Sequence, residues 1–403
     1  MMTKLINYFV FICRVTRKCV VFLLQRAFAF LIFLKCFIML KAPNYYISSD
    51  NNLSHFYPDV GKLSDKIGYN YCNTTVDLSI IVPMYNSEKY IEECLNSIVL
   101  QKTKYKYEIV LIDDGSTDNT SSKITLYLNN PNIKLIKQEN SGQSIARNRA
   151  LTVSSGNFIM FVDSDDILLQ GAIQNLMDAA INNNADIAEG NFVRFYDKIT
   201  DEMISDSTEK SHIESYNKNT RFVLKSLGYS WAKVYNRHLF ETLRFPEGYI
   251  FEDVITKFIL RRKANTVTYT GIPVYGYRYN STSSSHGNAS LKTLDSVWVY
   301  PKIIELCKQE NVPFDDVFYL LSLNHIGLLN YITSKNHSEQ IQMAVFNEMN
   351  KQLKSIQFCQ AKKMPVSFKL LEKSILSGDF KVWKCICATI IKYGLAKKWR
   401  EIN

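Results

Sequence analysis

From residue 77 onward the chain alternates short, continuous apolar runs with stretches of helical period. Leu78–Pro83 (LSIIVP), Tyr107–Asp113 (YEIVLID), Ile133–Gln138 (IKLIKQ) and Phe158–Asp163 (FIMFVD) are too short for helices. They are also too evenly apolar for strands with one wet face, so they read as strands covered on both sides. Between them lie helical candidates at Glu88–Gln101, Asn119–Asn129 and Ser144–Val153, the first with Tyr90, Ile91, Cys94, Leu95 and Ile98 on one face. Parallel neighbours need crossover connections, so this alternation predicts an α/β fold with a mostly parallel sheet flanked by helices. A helix over Ala172–Asn183 and a strand over Ile187–Phe195 continue it, whereas residues 196–218 read as a polar, irregular insertion. Past residue 288 the period turns helical, near 290–309, 314–334, 338–356 and 366–377, which predicts a C-terminal helical region.

In an open α/β sheet, ligands bind beyond the carboxyl ends of the strands. The polar residues of this chain gather there. The first strand runs into Pro83-Met84-Tyr85-Asn86, the second into Asp113-Asp114-Gly115-Ser116 and the fourth into Asp163-Ser164-Asp165-Asp166. Residues two apart at a strand end point the same way, so Asp163 and Asp165 can present two carboxylates to one hard cation, Mg²⁺ or Mn²⁺. The other reading of these acids is Asx-turn and helix-capping duty ahead of Ala172, and Asp166 is assigned to such a cap. Walker A, GxGxxG, HExxH and GxSxG motifs are all absent, so phosphates would be held by metal and cationic side chains and not by a glycine cradle.

Taken in order, SIIVPMYNSEKYIEECLNSI, YEIVLIDDGSTDNT, NSGQSIARNRAL, GNFIMFVDSDDIL and FPEGYIFEDV resemble the successive blocks of the family-2 glycosyltransferases, inverting enzymes with the GT-A fold. The resemblance covers about residues 77 to 285 and implies a nucleotide-diphospho-sugar transferase of the bacterial envelope or capsule polysaccharide type. It further implies that Pro83, Tyr85, Asn86 and Asp113 line the base and ribose, usually of uridine, where a carboxylate can accept the uracil imide N–H. Asn140 and Arg147 match a block whose Arg lies near the diphosphate; the alternative for Arg147 is a pairing with a nearby Asp of the sheet. Asp163, Ser164 and Asp165 match the DxD element that binds ribose and metal, with Asp165 the first choice as metal ligand. Glu252-Asp253 matches the ED pair on the acceptor side, where Asp253 would be the general base that inversion by direct displacement requires. Acids at a helix start also complement the helix dipole, which is compatible with this role: one of the pair can serve each purpose, with Glu252 the second choice as base and otherwise a donor-side residue. Tyr275-Gly276-Tyr277-Arg278, followed by Ser283, Ser284, Ser285 and His286, resembles a YxYR segment. Arg278 would then pair with phosphate charge and His286 would be a further metal ligand, or else a surface-loop residue. Trp231 is a candidate for stacking on a sugar or for the core.

Charge bounds the partners. The chain has 403 residues, 48 Lys+Arg and 38 Asp+Glu, a formal +10, but the excess sits at the ends. Residues 1–49 carry seven basic side chains and no acid, residues 381–403 carry six against one, and the stretch between them sums to −2. A nucleic-acid binder would need the Lys/Arg excess in its body, so no nucleic-acid partner is expected. Membrane-surface ends on a neutral body fit instead. Residues 19–40 hold 14 Val, Leu, Ile and Phe but are interrupted by Gln25, Arg26 and Lys35. They read as an amphipathic interfacial helix, with a single span as the alternative.

The expected organisation is a basic hydrophobic membrane-associated segment (1–41), a linker (42–76), a GT-A domain (77–287), a helical accessory region (288–380) and a basic amphipathic tail (381–403). The expected reaction is metal-dependent transfer of a sugar, with inversion, from a nucleotide diphosphate donor, UDP-linked, to a hydroxyl of a growing glycan or lipid-linked acceptor. It would take place on the cytoplasmic face of the inner membrane. The competing readings are a non-catalytic nucleotide-sugar-binding scaffold and a sugar-phosphate nucleotidyltransferase. Nine scattered cysteines without a CxxC pair indicate neither a disulfide framework nor a thiolate zinc site.

Overall fold

The computed structural model describes residues 76–209, 211–215, 228–279 and 290–393. These divide into two compact units, one running to Phe314 and the other starting at Asp315. The expectations for residues 1–41 and for His286 fall outside the described residues.

The first unit is built on a nine-stranded mixed sheet in the order β3-β2-β1-β4-β8-β6-β9-β5, with β7 also on β9. The strands are β1 (Leu78–Met84), β2 (Tyr107–Asp113), β3 (Ile133–Lys137), β4 (Phe158–Phe161), β5 (Ile167–Leu168), β6 (Ile187–Phe195), β7 (His212–Ser215), β8 (Lys233–Asn236) and β9 (Thr266–Arg278). β1 pairs in parallel with β2 and β4, and β2 with β3, as the continuous apolar runs require. Every residue of β1 is buried. The parallel pattern ends at β8, which runs antiparallel to both β4 and β6; β6 and β9 then pair in parallel across two register irregularities. This second half is where the sheet departs from a parallel one. The shift comes from a returning strand whose short KVYN sequence carries no long apolar signature.

Helices α1 (Ile91–Val99), α2 (Gln143–Val153) and α3 (Ala172–Asn182) sit where the helical periods placed them. Ile91, Cys94, Leu95 and Ile98 of α1 are fully buried and join Ile80, Val82, Leu111 and Met160 in one core. At roughly 1.5–3 kcal/mol for each large apolar side chain removed from water, this face outweighs a helix whose N-terminus has no side-chain cap. The segment Asn119–Asn129 is not one helix: it makes a single α-turn over Thr120–Lys123 and then a 3-10 stretch over Thr125–Asn129. The insertion is more ordered than its polarity predicted, with a helix at Asp201–Asp206 capped by Thr200 and strand β7 on the edge of β9. Helix α4 (Asp295–Gln309) belongs to this unit and not to the helical region, since Asp295 accepts the Ile250 N–H at 2.9 Å and Phe258 packs edge-on to Tyr300.

The second unit is helical: α5 (Asp316–Leu323), α6 (Glu339–Ser355), α7 (Val366–Leu376) and α8 (Phe380–Lys392), with a π-turn at Asn324–Leu329. The start of the basic tail is in fact helix α8, whose Val382, Trp383, Ile386, Cys387 and Ile390 are buried. The Trp383 indole donates to the Gly327 carbonyl at 3.2 Å.

Candidate active site

Three strand-end loops meet on the carboxyl side of β1, β2 and β4. After β1, Tyr85 is 47% exposed and Asn86 takes a left-handed conformation (φ 47°), which asparagine tolerates better than most residues. Asn86 stitches this loop to the next: its N–H donates to Ser116 Oγ at 3.1 Å, and its Oδ1 accepts the Thr117 N–H at 2.9 Å. Ser87 binds Thr120 through its N–H at 2.7 Å, and its hydroxyl lies 2.7 Å from that of Ser164. Ser164 therefore ties the DxD loop to the end of β1.

Asp113 closes β2. Burial would raise its pKa, but the Ser121 hydroxyl, the Ser116 N–H and the charge of Lys137 more than offset that, so its pKa lies below the ordinary carboxylate value. Asp114 holds the following loop, accepting Gln138 Nε2 at 2.7 Å and the N–H groups of Ser141 and Gly142 at 2.8 and 2.9 Å. This fixes the entry to α2 and leaves Asn140 exposed at its mouth. Asp114 was present in the motif but had no role in the sequence reading; only the second acid of the DDG triplet signalled it.

Helix α2 carries Arg147, which is almost fully buried beneath the rings of Phe161 and Phe245, 5.9 and 5.3 Å from their centroids. One Nη donates to Asp163 Oδ1 at 2.8 Å and the other is paired with Glu252 Oε1, while Nε has no partner among the described residues. Gln143 adds a second donor to Asp163 Oδ1 at 3.1 Å. Of the two readings open for Arg147, this geometry is the carboxylate pairing. The guanidinium bridges the DxD element and the ED pair, which lie far apart in sequence.

The ED pair occupies a 3-10 turn, Glu252–Val254, entered through Phe251 at φ 70°. A phenylalanine in the left-handed region costs on the order of 1–3 kcal/mol and persists only where its surroundings impose it. Glu252 is spent on Arg147. The Asp253 carboxylate takes no hydrogen bond or ion pair from the described residues. Burial above all, and then the adjacent Glu252 charge, push its pKa up to about 7 against the opposing charge of Arg147.

Asp165 is half-buried, and burial followed by the Asp163 charge pushes its pKa to about 6. No group of three or more metal-ligating side chains occurs among the described residues. Two carboxylates at one strand end, one with weakened acidity and neither neutralised beyond the contacts of Asp163, still fit a hard divalent cation that completes its shell with phosphate oxygens and water.

The remaining predicted residues hold the loop from beneath. Asp166 does not cap a helix, since Gly171 occupies the N-cap position ahead of Ala172 without any side-chain cap. Asp166 is instead buried and accepts the Tyr275 hydroxyl at 2.8 Å and the Arg278 N–H at 2.7 Å. Tyr275 in turn accepts the Asp163 N–H at 3.1 Å. Arg278 is buried between Tyr90 and Phe195, donates through Nε to the Asp165 carbonyl at 2.9 Å and pairs with Glu93. Its side chain thus grips the DxD backbone. Trp231 is 5% exposed and stacks on Tyr229 and Tyr275 at centroid distances of 4.3 and 4.6 Å, which makes it a core residue.

A carboxylate-rich crevice at the carboxyl ends of a mixed α/β sheet is where such folds bind their ligands, and proteins of known class share this sequence and fold. The family model Glycosyl transferase family 2 matches residues 79–244. UDP-Glc:alpha-D-GlcNAc-diphosphoundecaprenol beta-1,3-glucosyltransferase WfgD of Escherichia coli is 30% identical over 254 residues, 62% of this chain and 93% of that protein. Glycosyltransferase GlyA of Streptococcus pneumoniae serotype 4 is 34% identical over 226 residues, 52% of this chain; the aligned part spans only 31% of GlyA's length. The crystal structure of Staphylococcus aureus TarS 1-349 in complex with UDP-GlcNAc superposes with a TM-score of 0.61 at 20% identity, over 79% of this chain and 92% of that one. The chain belongs to the family-2 glycosyltransferases and has the GT-A fold.

Proposed function

We propose that this protein transfers a sugar, with inversion, from a UDP-linked donor to a hydroxyl of a growing cell-surface glycan or lipid-linked oligosaccharide, with Asp253 as general base. The observation that carries this reading is the Arg147 bridge, which brings the DxD carboxylate Asp163 and the ED pair into one site while Asp253 has no hydrogen bond or ion pair among the described residues. WfgD is named for a UDP-glucose donor and a diphosphoundecaprenol-linked acceptor, and TarS for binding UDP-GlcNAc, which supports the donor and acceptor classes.

In this reading Asp113 and the Pro83–Asn86 loop hold the base and ribose. Asp253 accepts the acceptor hydroxyl proton as that oxygen bonds the anomeric carbon, and the bond from that carbon to the diphosphate breaks, releasing UDP. Asp165 and Asp163 would hold Mg²⁺ or Mn²⁺, which when bound offsets charge on the diphosphate. Arg147 keeps the two carboxylate elements in register, and Arg278 fixes the backbone of Asp165.

Asp253→Asn is expected to lower transfer by about 10²–10⁴-fold while the UDP-sugar dissociation constant stays within about twofold; full transfer activity in the variant would refute the base assignment. Chelation of divalent cations is expected to stop turnover, and Mg²⁺ or Mn²⁺ to restore it. A nucleotidyltransferase would release pyrophosphate in place of UDP, and a scaffold would release neither.

A further inference from the structure

The left-handed Phe251 sits between two residues that are each anchored from another element. On one side Glu252 is paired with Arg147 of α2. On the other, the Ile250 N–H is taken at 2.9 Å by Asp295, the first residue of α4. The turn ahead of that helix holds the loop at a further point, since Lys292, 3.5 Å from Asp295, donates through Nζ to the Gly248 carbonyl at 3.3 Å. Gly248 is the other left-handed residue of this loop, at φ 86°. Further back, Asn148 of α2 fixes both backbone groups of Phe245, accepting its N–H at 2.9 Å and donating to its carbonyl at 3.0 Å.

Among these anchors Asp295 is the one whose placement stability does not explain. An acid in the first turn of a helix complements the dipole from an exposed position without being desolvated, yet Asp295 is 3% exposed. Burial pushes its pKa above the ordinary carboxylate value, against the Ile250 N–H and the charge of Lys292. Its ion pair returns little, because Lys292 is 59% exposed. A buried carboxylate with one backbone donor and one solvated cation is a poor source of stability. What it does supply is a directional, charge-assisted bond to a single amide, three residues ahead of Asp253. Asp295 also lies outside every block that carries the family resemblance.

We infer that Asp295 is a positioning residue for the sugar-transfer site: together with Arg147 it clamps the turn on either side of Phe251 and so aims the Asp253 carboxylate. It acts through the backbone of the turn and not on the reacting atoms. The inference rests on the reading of Asp253 as general base. A catalytic group displaced by about 1 Å can lose about a hundredfold in rate, which is the scale on which such a clamp matters.

The test compares Asp295→Ala with Asp295→Asn, which keeps an oxygen for the Ile250 N–H. Hydrogen exchange of the peptide spanning 245–255, read by mass spectrometry on the full chain, needs no substrate. It should quicken at least about tenfold in the alanine variant and stay close to normal in the asparagine variant, with the peptides of β1 and β2 unchanged in both. In UDP release from UDP-glucose and from UDP-GlcNAc, the alanine variant should lose about 10–100-fold in kcat with the donor KM within about twofold, and the asparagine variant should recover most of that loss. Because Asp295 acts through Asp253, adding Asp295→Ala to Asp253→Asn should lower turnover by no more than about twofold beyond Asp253→Asn alone. Exchange at the unaltered rate in the alanine variant would overturn the inference. So would a normal kcat, a loss confined to the donor KM, or a double variant that falls by the full product of the single effects. Full activity of Asp253→Asn would count against the base reading alone, since the exchange of the 245–255 peptide still decides whether Asp295 holds the turn.

Discussion

At the residue scale the site turns on how two carboxylates one position apart are treated differently. Glu252 is matched by a buried guanidinium, whereas Asp253 has no partner among the described residues and its pKa is pushed to about 7. In the proposed role only the ionised form accepts a proton. The rate with saturating donor and acceptor should therefore rise about tenfold per pH unit up to about pH 7 and level off above it, as a pH–rate profile would show. The same shift has a consequence for folding. Asp253 binds its proton more tightly in the folded chain than unfolded, so its contribution to stability is present below the ordinary carboxylate range and is lost as pH rises through about 7. Asp253→Asn should thus melt a few degrees higher than the unaltered chain at pH 8 and at nearly the same temperature near pH 4, measured by thermal unfolding.

At the scale of elements, the site is carried by contacts between strands that are distant in sequence. Strand β9 supplies Tyr275 and Arg278, which hold Asp163, Asp165 and Asp166 from below, and the aromatic stack of Tyr229, Trp231 and Tyr275 ties the start of β8 to that strand. Trp231 therefore acts through packing. Trp231→Ala should cost about 3–5 kcal/mol in denaturant unfolding, while Trp231→Phe, which keeps a ring in the stack, should leave donor affinity and turnover close to normal. A large loss of acceptor affinity with stability unchanged in the alanine variant would instead give Trp231 a sugar-binding role. Gly156 shows how tightly β4 lies against β1: a Cβ there would come within 2.4 Å of the Ser79 nitrogen.

At the scale of the whole molecule, the described residues form two compact units, and no helix among them is long and apolar enough to cross a membrane. We propose that the chain attaches peripherally to the cytoplasmic face of the membrane, through its basic ends. Alkaline carbonate should then release it from isolated membranes into the soluble fraction; retention in the pellet would indicate a span. Much of this molecule could be read without coordinates. The four runs located β1 to β4 to within about two residues; β1, β2 and β4 are buried on both faces and so apolar almost throughout, whereas β3, expected to be covered on both sides, lies at the end of the sheet with Lys134 and Lys137 exposed. The acids Asp113, Asp163, Asp165 and Asp253 could be picked out because strand-end carboxylates and an ED turn are local patterns.

The amino-acid sequence by itself determined the α/β layering, the crevice at the strand ends and the family, since each is encoded in local period or in short motifs in a given order. Only the tertiary structure decided what each charged side chain does. A guanidinium is equally suited to phosphate and to carboxylate, and an aspartate equally suited to a cap and to a buried anchor. Arg147 became a bridge between Asp163 and Glu252, Arg278 a clamp on the Asp165 backbone, and Asp166 a partner of Tyr275, because folding placed those partners within hydrogen-bond reach and burial made leaving them unpaired costly.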